Sequence, residues 1–153
     1  MSNEVFSFFD PMMNGGVPDR EYNAQQFTDY FRTLVTTGVM KIEGTDPLRV
    51  SLNSANEMKI QIAEGVAYIE GRYYRNIADT IHTIDTEVLG RSRIDRIVVR
   101  LDLRTEARYV KSFVKRGAPS AAPVAPELTR TAEIYEISLA QVKIVGGQTF
   151  IAT

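Results

Sequence analysis

His82 is the only histidine in the chain of 153 residues, and there is no cysteine. A Ser–His pair would therefore require His82, and neither a thiolate zinc site nor a multi-histidine metal site can form. His82 lies in a strand-like segment, and no nearby pattern supplies a nucleophile together with an acid that would orient the ring. We predict a structural histidine and no enzymatic activity.

Hard cations have one weak candidate site, the run Asp85-Thr86-Glu87. No EF-hand loop and no Asp-x-Asp spacing accompanies it, so we predict no metal site. The sequence also lacks the glycine-rich phosphate loops, the His-Glu-x-x-His pair and the Gly-x-Ser-x-Gly elbow. We expect no cofactor.

Asp95 shares strand parity with Ile97 and Val99, which places its carboxylate toward the core. An unpaired carboxylate there would be costly. We therefore expect an ion pair with a flanking arginine, or a bond from the backbone amides of a turn. The nearby arginines are Arg91, Arg93 and Arg96.

Tyr73 and Tyr74, flanked by two arginines, are the candidate ligand-binding residues, since aromatic rings can stack on sugars or bases. On a strand the two rings point to opposite faces, so each face carries one of them. The alternative to a carbohydrate role is cross-strand packing.

One helix is predicted, over residues 23–37. Its apolar positions follow the i, i+3, i+4, i+7, i+8 spacing of a single stripe: Phe27, Tyr30, Phe31, Leu34 and Val35. Asn23 and Gln26 fit a capping box, and Gly38 fits a left-handed position after the last turn. We expect the stripe to be core.

The remainder favours strands. Residues 48–52 and 58–62 alternate, and residues 66–75 fit a hairpin that turns at Glu70-Gly71. Residues 97–103 alternate apolar and mostly charged, which predicts one buried and one wet face. Residues 133–145 are largely apolar and rich in β-branched residues, and they predict a strand buried on both faces, with a helix as the alternative. The fold class is mainly β with one N-terminal α-helix: a β-sandwich of short antiparallel strands with the helix packed on it.

Two segments have apolar residues outside any regular pattern. An N-terminal arm, residues 1–21, precedes a single domain, residues 22–153. An Ala/Pro loop, residues 117–130, favours an extended path and either has a function or covers a sheet edge. The candidate docking residues of the two segments are Phe6, Phe8, Phe9, Met12, Met13, Pro119, Pro123, Val124 and Pro126. The alternative for the arm is that it packs on its own core.

Composition limits the partners. Eighteen basic and nineteen acidic side chains leave a net charge of −1, with no basic block, which argues against nucleic acid. No apolar run is long enough for a membrane span, and no leader peptide is evident. A compact monomer of this mass would expose roughly 7,800 Å².

An ordered set of segments resembles a known module. It comprises residues 19–24, the aromatic helix with Gly38-Val39, residues 65–74, 93–102 and 114–119, the Ala/Pro loop and residues 135–140. The set resembles a module of tail-tip, baseplate and tail-fibre proteins of siphophages of Gram-positive bacteria. It is similar to a small stand-alone version in a Bacillus siphophage and to the shoulder domain of a lactococcal phage receptor-binding protein.

The resemblance implies a structural protein of the virion, located at the tail tip and assembled in the host cytoplasm. Its partners would be other phage tail proteins and further copies of itself, a trimer by analogy. Proteins with this module usually continue into further domains, whereas this sequence ends at Thr153, so we expect no receptor-binding head. The alternative function is a module that binds cell-wall carbohydrate.

Overall fold

The computed structural model describes residues 5, 7–55 and 57–151. It is mainly β with one short helix and small antiparallel sheets, which confirms the predicted class. The helix is α1 (Ala24–Leu34). The strands are β1 (Met13–Asn14), β2 (Val17–Pro18), β3 (Gly38–Val39), β4 (Val50–Leu52), β5 (Lys59–Ile62), β6 (Gly65–Ile69), β7 (Arg72–Asn76), β8 (Thr80–Thr83), β9 (Ser92–Asp102), β10 (Tyr109–Lys115) and β11 (Ile134–Val145).

Four antiparallel sheets form, with the strand orders β1-β2, β3-β6-β7, β4-β5-β8 and β10-β9-β11. The three larger sheets contribute to one apolar core that includes Ile62, Ile69, Ile97 and Ile144. The predicted hairpin is present as β6 and β7, with Glu70 and Gly71 at φ of 50° and 77° in its two-residue turn.

The helix is shorter than predicted. Its capping box is confirmed, because the Gln26 amide donates to the Asn23 side chain and the Asn23 amide donates to the Gln26 side chain. The helix ends at an extended Val35, and Gly38 belongs to β3. The prediction of a left-handed Gly38 cap is therefore wrong, because the chain passes directly into a strand.

The apolar stripe of α1 is not core, contrary to the prediction. Thr28 is the buried residue of the helix, whereas Phe31 is 39% exposed and Leu34 is 62% exposed. Gly71 explains this orientation: a Cβ there would collide with the carbonyl oxygen of Thr28. The helix thus lies against the β6–β7 turn through a small residue, and its aromatic face points outward.

The central strand β9 is buried on both faces, so the predicted wet face is wrong. Val98 and Asp102 are fully buried although they alternate with the core residues Ile97 and Val99. The connection from β10 to β11 accounts for the second face. It bridges β9 at Ser92–Ser120, and the Pro126 carbonyl then accepts a hydrogen bond from Arg96 at 2.8 Å.

The structure confirms the ion pair predicted for Asp95. The Arg93 guanidinium donates to both Asp95 oxygens, at 2.9 and 3.1 Å, and the Gly117 amide donates to one of them at 2.9 Å. Arg93 also pairs with Glu87 at 2.9 Å. The pair is buried, since Arg93 has no exposed surface and Asp95 is 1% exposed. Every hydrogen-bonding group of the pair thus has a partner, which a buried charge requires.

Glu136 on β11 is a second buried charge. Its carboxylate accepts from Arg100 at 2.8 Å, from Lys115 at 2.8 Å and from the Thr129 amide at 2.7 Å. Burial alone would raise the pKa of Glu136, but the bonds from Lys115, Thr129 and Arg100 lower it. These contacts connect three strands and the loop through one side chain.

The last long strand follows a single-faced pattern over its second half. β11 has a bulge between Ser138 and Ala140, and beyond it the side chains alternate between buried and exposed. The prediction of burial on both faces is therefore wrong for this half, and the helical alternative is wrong throughout. Ile151 is buried, but it lies outside any strand.

Candidate docking surface

The N-terminal arm is anchored to the helix by one ring. Phe8 stacks on Phe27 with ring centroids 5.3 Å apart, and it meets the ring edge of Tyr30 at 4.9 Å. The Phe9 amide donates to the Tyr22 hydroxyl at 2.9 Å. Phe8 therefore packs on the helix of its own chain and not on the core, and it remains 44% exposed. Phe6 lies outside the described residues.

The rest of the arm projects apolar side chains into solvent. Met12, Met13 and Val17 are 66–71% exposed, and Phe9 is 56% exposed beneath the Arg20 guanidinium. Asp19 fixes the hairpin base by accepting from the Met12 amide at 2.7 Å. The hydrogen bond from Arg20, together with that from the Met12 amide, lowers the pKa of Asp19. The arm thus forms a β-hairpin. The sequence did not predict it, because its apolar residues show no strand periodicity.

A groove of about 970 Å³ runs beside the helix, between the β6–β7 turn and the start of β10. Aromatic rings from four elements line it: Phe27, Phe31, Tyr68, Tyr73 and Tyr109. Arg72 and Arg108 also line it, and no acidic side chain does. The nearby carboxylate of Glu70 is already paired with Arg32 at 2.6 Å. The groove therefore offers apolar faces and positive charge together.

Tyr73 and Tyr74 separate as their strand positions predicted. Tyr73 is 54% exposed in the groove and meets the Tyr68 ring at 5.6 Å. Tyr74 packs against the core, and burial raises the pKa of its hydroxyl despite a hydrogen bond with Ser112. Only Tyr73 of this pair is placed to contact a ligand in the groove.

The Ala/Pro loop is split between packing and exposure. Pro123 and Pro126 are half-buried, while Pro119 is exposed and Val124 is 77% exposed. The loop lies over the outer face of β9, since the Arg96 guanidinium of β9 donates to the Pro126 carbonyl at 2.8 Å. Much of this segment therefore packs on the domain, and its exposed apolar surface is smaller than that of the arm.

His82 bridges two sheets and does not reach the groove lining. Its Nε2 lies 2.8 Å from the Ser112 hydroxyl on β10, and burial lowers the pKa of the ring. No acid is hydrogen-bonded to this pair within the described residues, and Ser112 sits inside a strand. Residues 5, 7–55 and 57–151 also contain no group of three or more potential metal ligands.

Sequence reasoning missed most of the groove. Tyr68 lies on β6, whereas the adjacent Arg108 and Tyr109 lie at the start of β10, and only the folded chain brings the two places together. One signal was available: Ala24 and Thr28 form a small-residue edge beside the aromatic stripe, which permits close contact along that edge. Comparison of the chain with protein-family models, curated proteins and solved structures found no match. Among the described residues, no helix is long and apolar enough to cross a membrane.

Proposed function

We propose that this chain is a structural protein of a phage tail tip or baseplate that acts by docking to other tail proteins and supports host adsorption. In this proposal it resides in the virion after assembly in the host cytoplasm. The observation that carries docking is the exposed apolar side chains of the arm and of the α1 stripe, which the Phe8 ring connects. The phage assignment rests on the ordered segments that resemble the siphophage module.

The exposed apolar side chains agree with a protein that has partners, because Met12, Met13, Val17 and Leu34 are each more than 60% exposed. Large exposed apolar patches mark contact sites in soluble proteins. Neither catalysis nor a cofactor enters the proposed function.

Deletion of residues 1–17 tests the proposal. Because the arm touches the domain mainly through Phe8, we expect a folded variant with a melting temperature within a few degrees of the parent. We expect it to be missing from purified particles, as seen by antibody labelling of the tail tip. Normal incorporation of the deletion variant would contradict docking through the arm. Ile77→Ser provides a surface control, since Ile77 is 75% exposed and lies outside both candidate docking segments.

Binding of cell-wall carbohydrate is the second candidate, favoured by the position of Tyr73 at the mouth of an aromatic groove. Saturable binding to purified host cell wall that is lost in Tyr73→Ala would support it. Tyr74→Phe is the matched control, because Tyr74 faces the core. Absence of binding at high protein concentration would exclude this candidate.

A further inference from the structure

We propose that the aromatic groove receives the arm hairpin of a second copy of this chain. The proposal rests on the proposed docking function and names both the partner and the site. By the arm hairpin we mean residues 10–19, which include β1 and β2.

The groove and the arm hairpin carry opposite charges. Arg72 and Arg108 line the groove without an acidic neighbour in its lining. The arm hairpin carries Asp10 and Asp19, and Asp19 is paired with the adjacent Arg20 at 2.8 Å. Asp10 is exposed and makes no ion pair within the described part of the chain. The Asp10 carboxylate is therefore available for a positive groove, which favours this pairing over random contacts.

The apolar side chains of the arm hairpin match the aromatic rings of the groove. Met12, Met13 and Val17 project from the hairpin, and methionine side chains adapt to irregular aromatic surfaces with favourable sulfur–ring contacts. The groove presents five rings to receive them. Among the described residues of the same chain, none covers these three side chains, which remain at least 66% exposed.

The arm and the groove share a residue of the helix. Phe27 stacks on Phe8 of its own arm and also lines the groove. The arm and the groove consequently adjoin one another on the same helix, so a contact of one copy with the next can use both. A reciprocal exchange closes a pair, whereas a one-way contact generates a ring if the rotation closes and an open filament if it does not.

Charge reversal tests the pairing in solution. We expect the purified full chain to associate, with its mass measured by light scattering over a range of concentrations. Asp10→Arg and Arg108→Glu should each raise the dissociation constant at least threefold, and the double variant should restore it. A chain that stays monomeric at high concentration would overturn the proposal.

The absence of native cysteine allows a direct distance test. Met13→Cys and Tyr109→Cys, prepared separately and mixed under mild oxidation, should form the mixed disulfide in preference to either self-disulfide. Ile77→Cys replaces Tyr109→Cys as the control, since Ile77 is 75% exposed and follows the end of β7 remote from the turn. Equal yields for the two pairs would count against the proposed contact.

The outcomes separate this inference from the proposed function. A monomer that still needs its arm for incorporation would overturn self-docking and retain docking to another tail protein. If the chain is a monomer and Tyr73 is required for cell-wall binding, self-docking is overturned and the groove binds carbohydrate instead. An associated chain that loses its association on deletion of residues 1–17 supports the inference.

Discussion

The β9 sheet and the α1 region distribute polarity in opposite ways. Around β9, the charges of Asp95 and Glu136 are buried and fully hydrogen-bonded. On α1, Phe31 and Leu34 are exposed, and a threonine makes the close contact. An alternating or periodic pattern therefore identifies which residues share a face, but it does not tell which face is covered. The covering elements, a loop and a glycine turn, decide that.

The largest test of this contrast is Asp95→Ala. Removing one partner of a buried ion pair leaves Arg93 partly uncompensated, which costs about 3–5 kcal/mol in the free energy of unfolding. Denaturant unfolding should show the loss, and the melting temperature should fall by about 10 °C. Asp46→Ala removes an exposed pair with Arg49 and should change stability by less than about 0.5 kcal/mol. Equal losses of stability in Asp95→Ala and Asp46→Ala would show that the buried ion pair contributes no more than the exposed one.

Gly71→Ala should have the next largest effect. The new methyl group would collide with Thr28 of the helix, and φ of 77° disfavours alanine. We expect a loss of about 1–3 kcal/mol. The helical signal in circular dichroism should weaken more than the β signal. Gly44→Ala is the matched control, because it has a positive φ of 77° but nothing within 4 Å of the added Cβ. A loss equal to that of the control would show that the close contact is unimportant.

Acid should lower the free energy of unfolding through the buried carboxylate of Glu136. The pKa of Glu136 is lowered in the folded protein, so its contribution is complete above its ordinary value of 4.5 and is lost as pH falls through the folded value. The free energy of unfolding should be level from about pH 7 to pH 5 and fall below about 4.5. Glu136→Gln should flatten that fall. A stability curve with the same acid slope in this variant would contradict the assignment.

Phe31→Ala should have the smallest effect on stability. A core phenylalanine would cost about 3–5 kcal/mol, whereas a partly exposed one should cost about 1 kcal/mol. Ile97→Ala, at a fully buried site of the same domain, should cost about 2–5 kcal/mol. Denaturant unfolding compares the two directly. A larger loss of stability for Phe31→Ala than for Ile97→Ala would show that the helix stripe belongs to the core.

Local features were predictable where a few neighbouring residues determine them. The capping box of Asn23, the turn at Glu70-Gly71 and the pairing of Asp95 each depend on short-range chemistry. The burial of Val98 and the exposure of Phe31 were not predictable, because each depends on an element distant in sequence. The same limit applies to the groove, where Tyr109 and Phe27 approach from opposite halves of the chain.

The carboxylate of Glu136 has a consequence for how the sheet is completed. Before β11 pairs with β9, Arg100 and Lys115 lie on neighbouring strands as unpaired like charges on one face of the β9–β10 hairpin. Repulsion between such faces opposes the edge-to-edge association by which unfinished sheets aggregate. When β11 pairs with β9, the Glu136 carboxylate neutralises the charges of Arg100 and Lys115. We expect this repulsion to disfavour association between chains until the last long strand is in place.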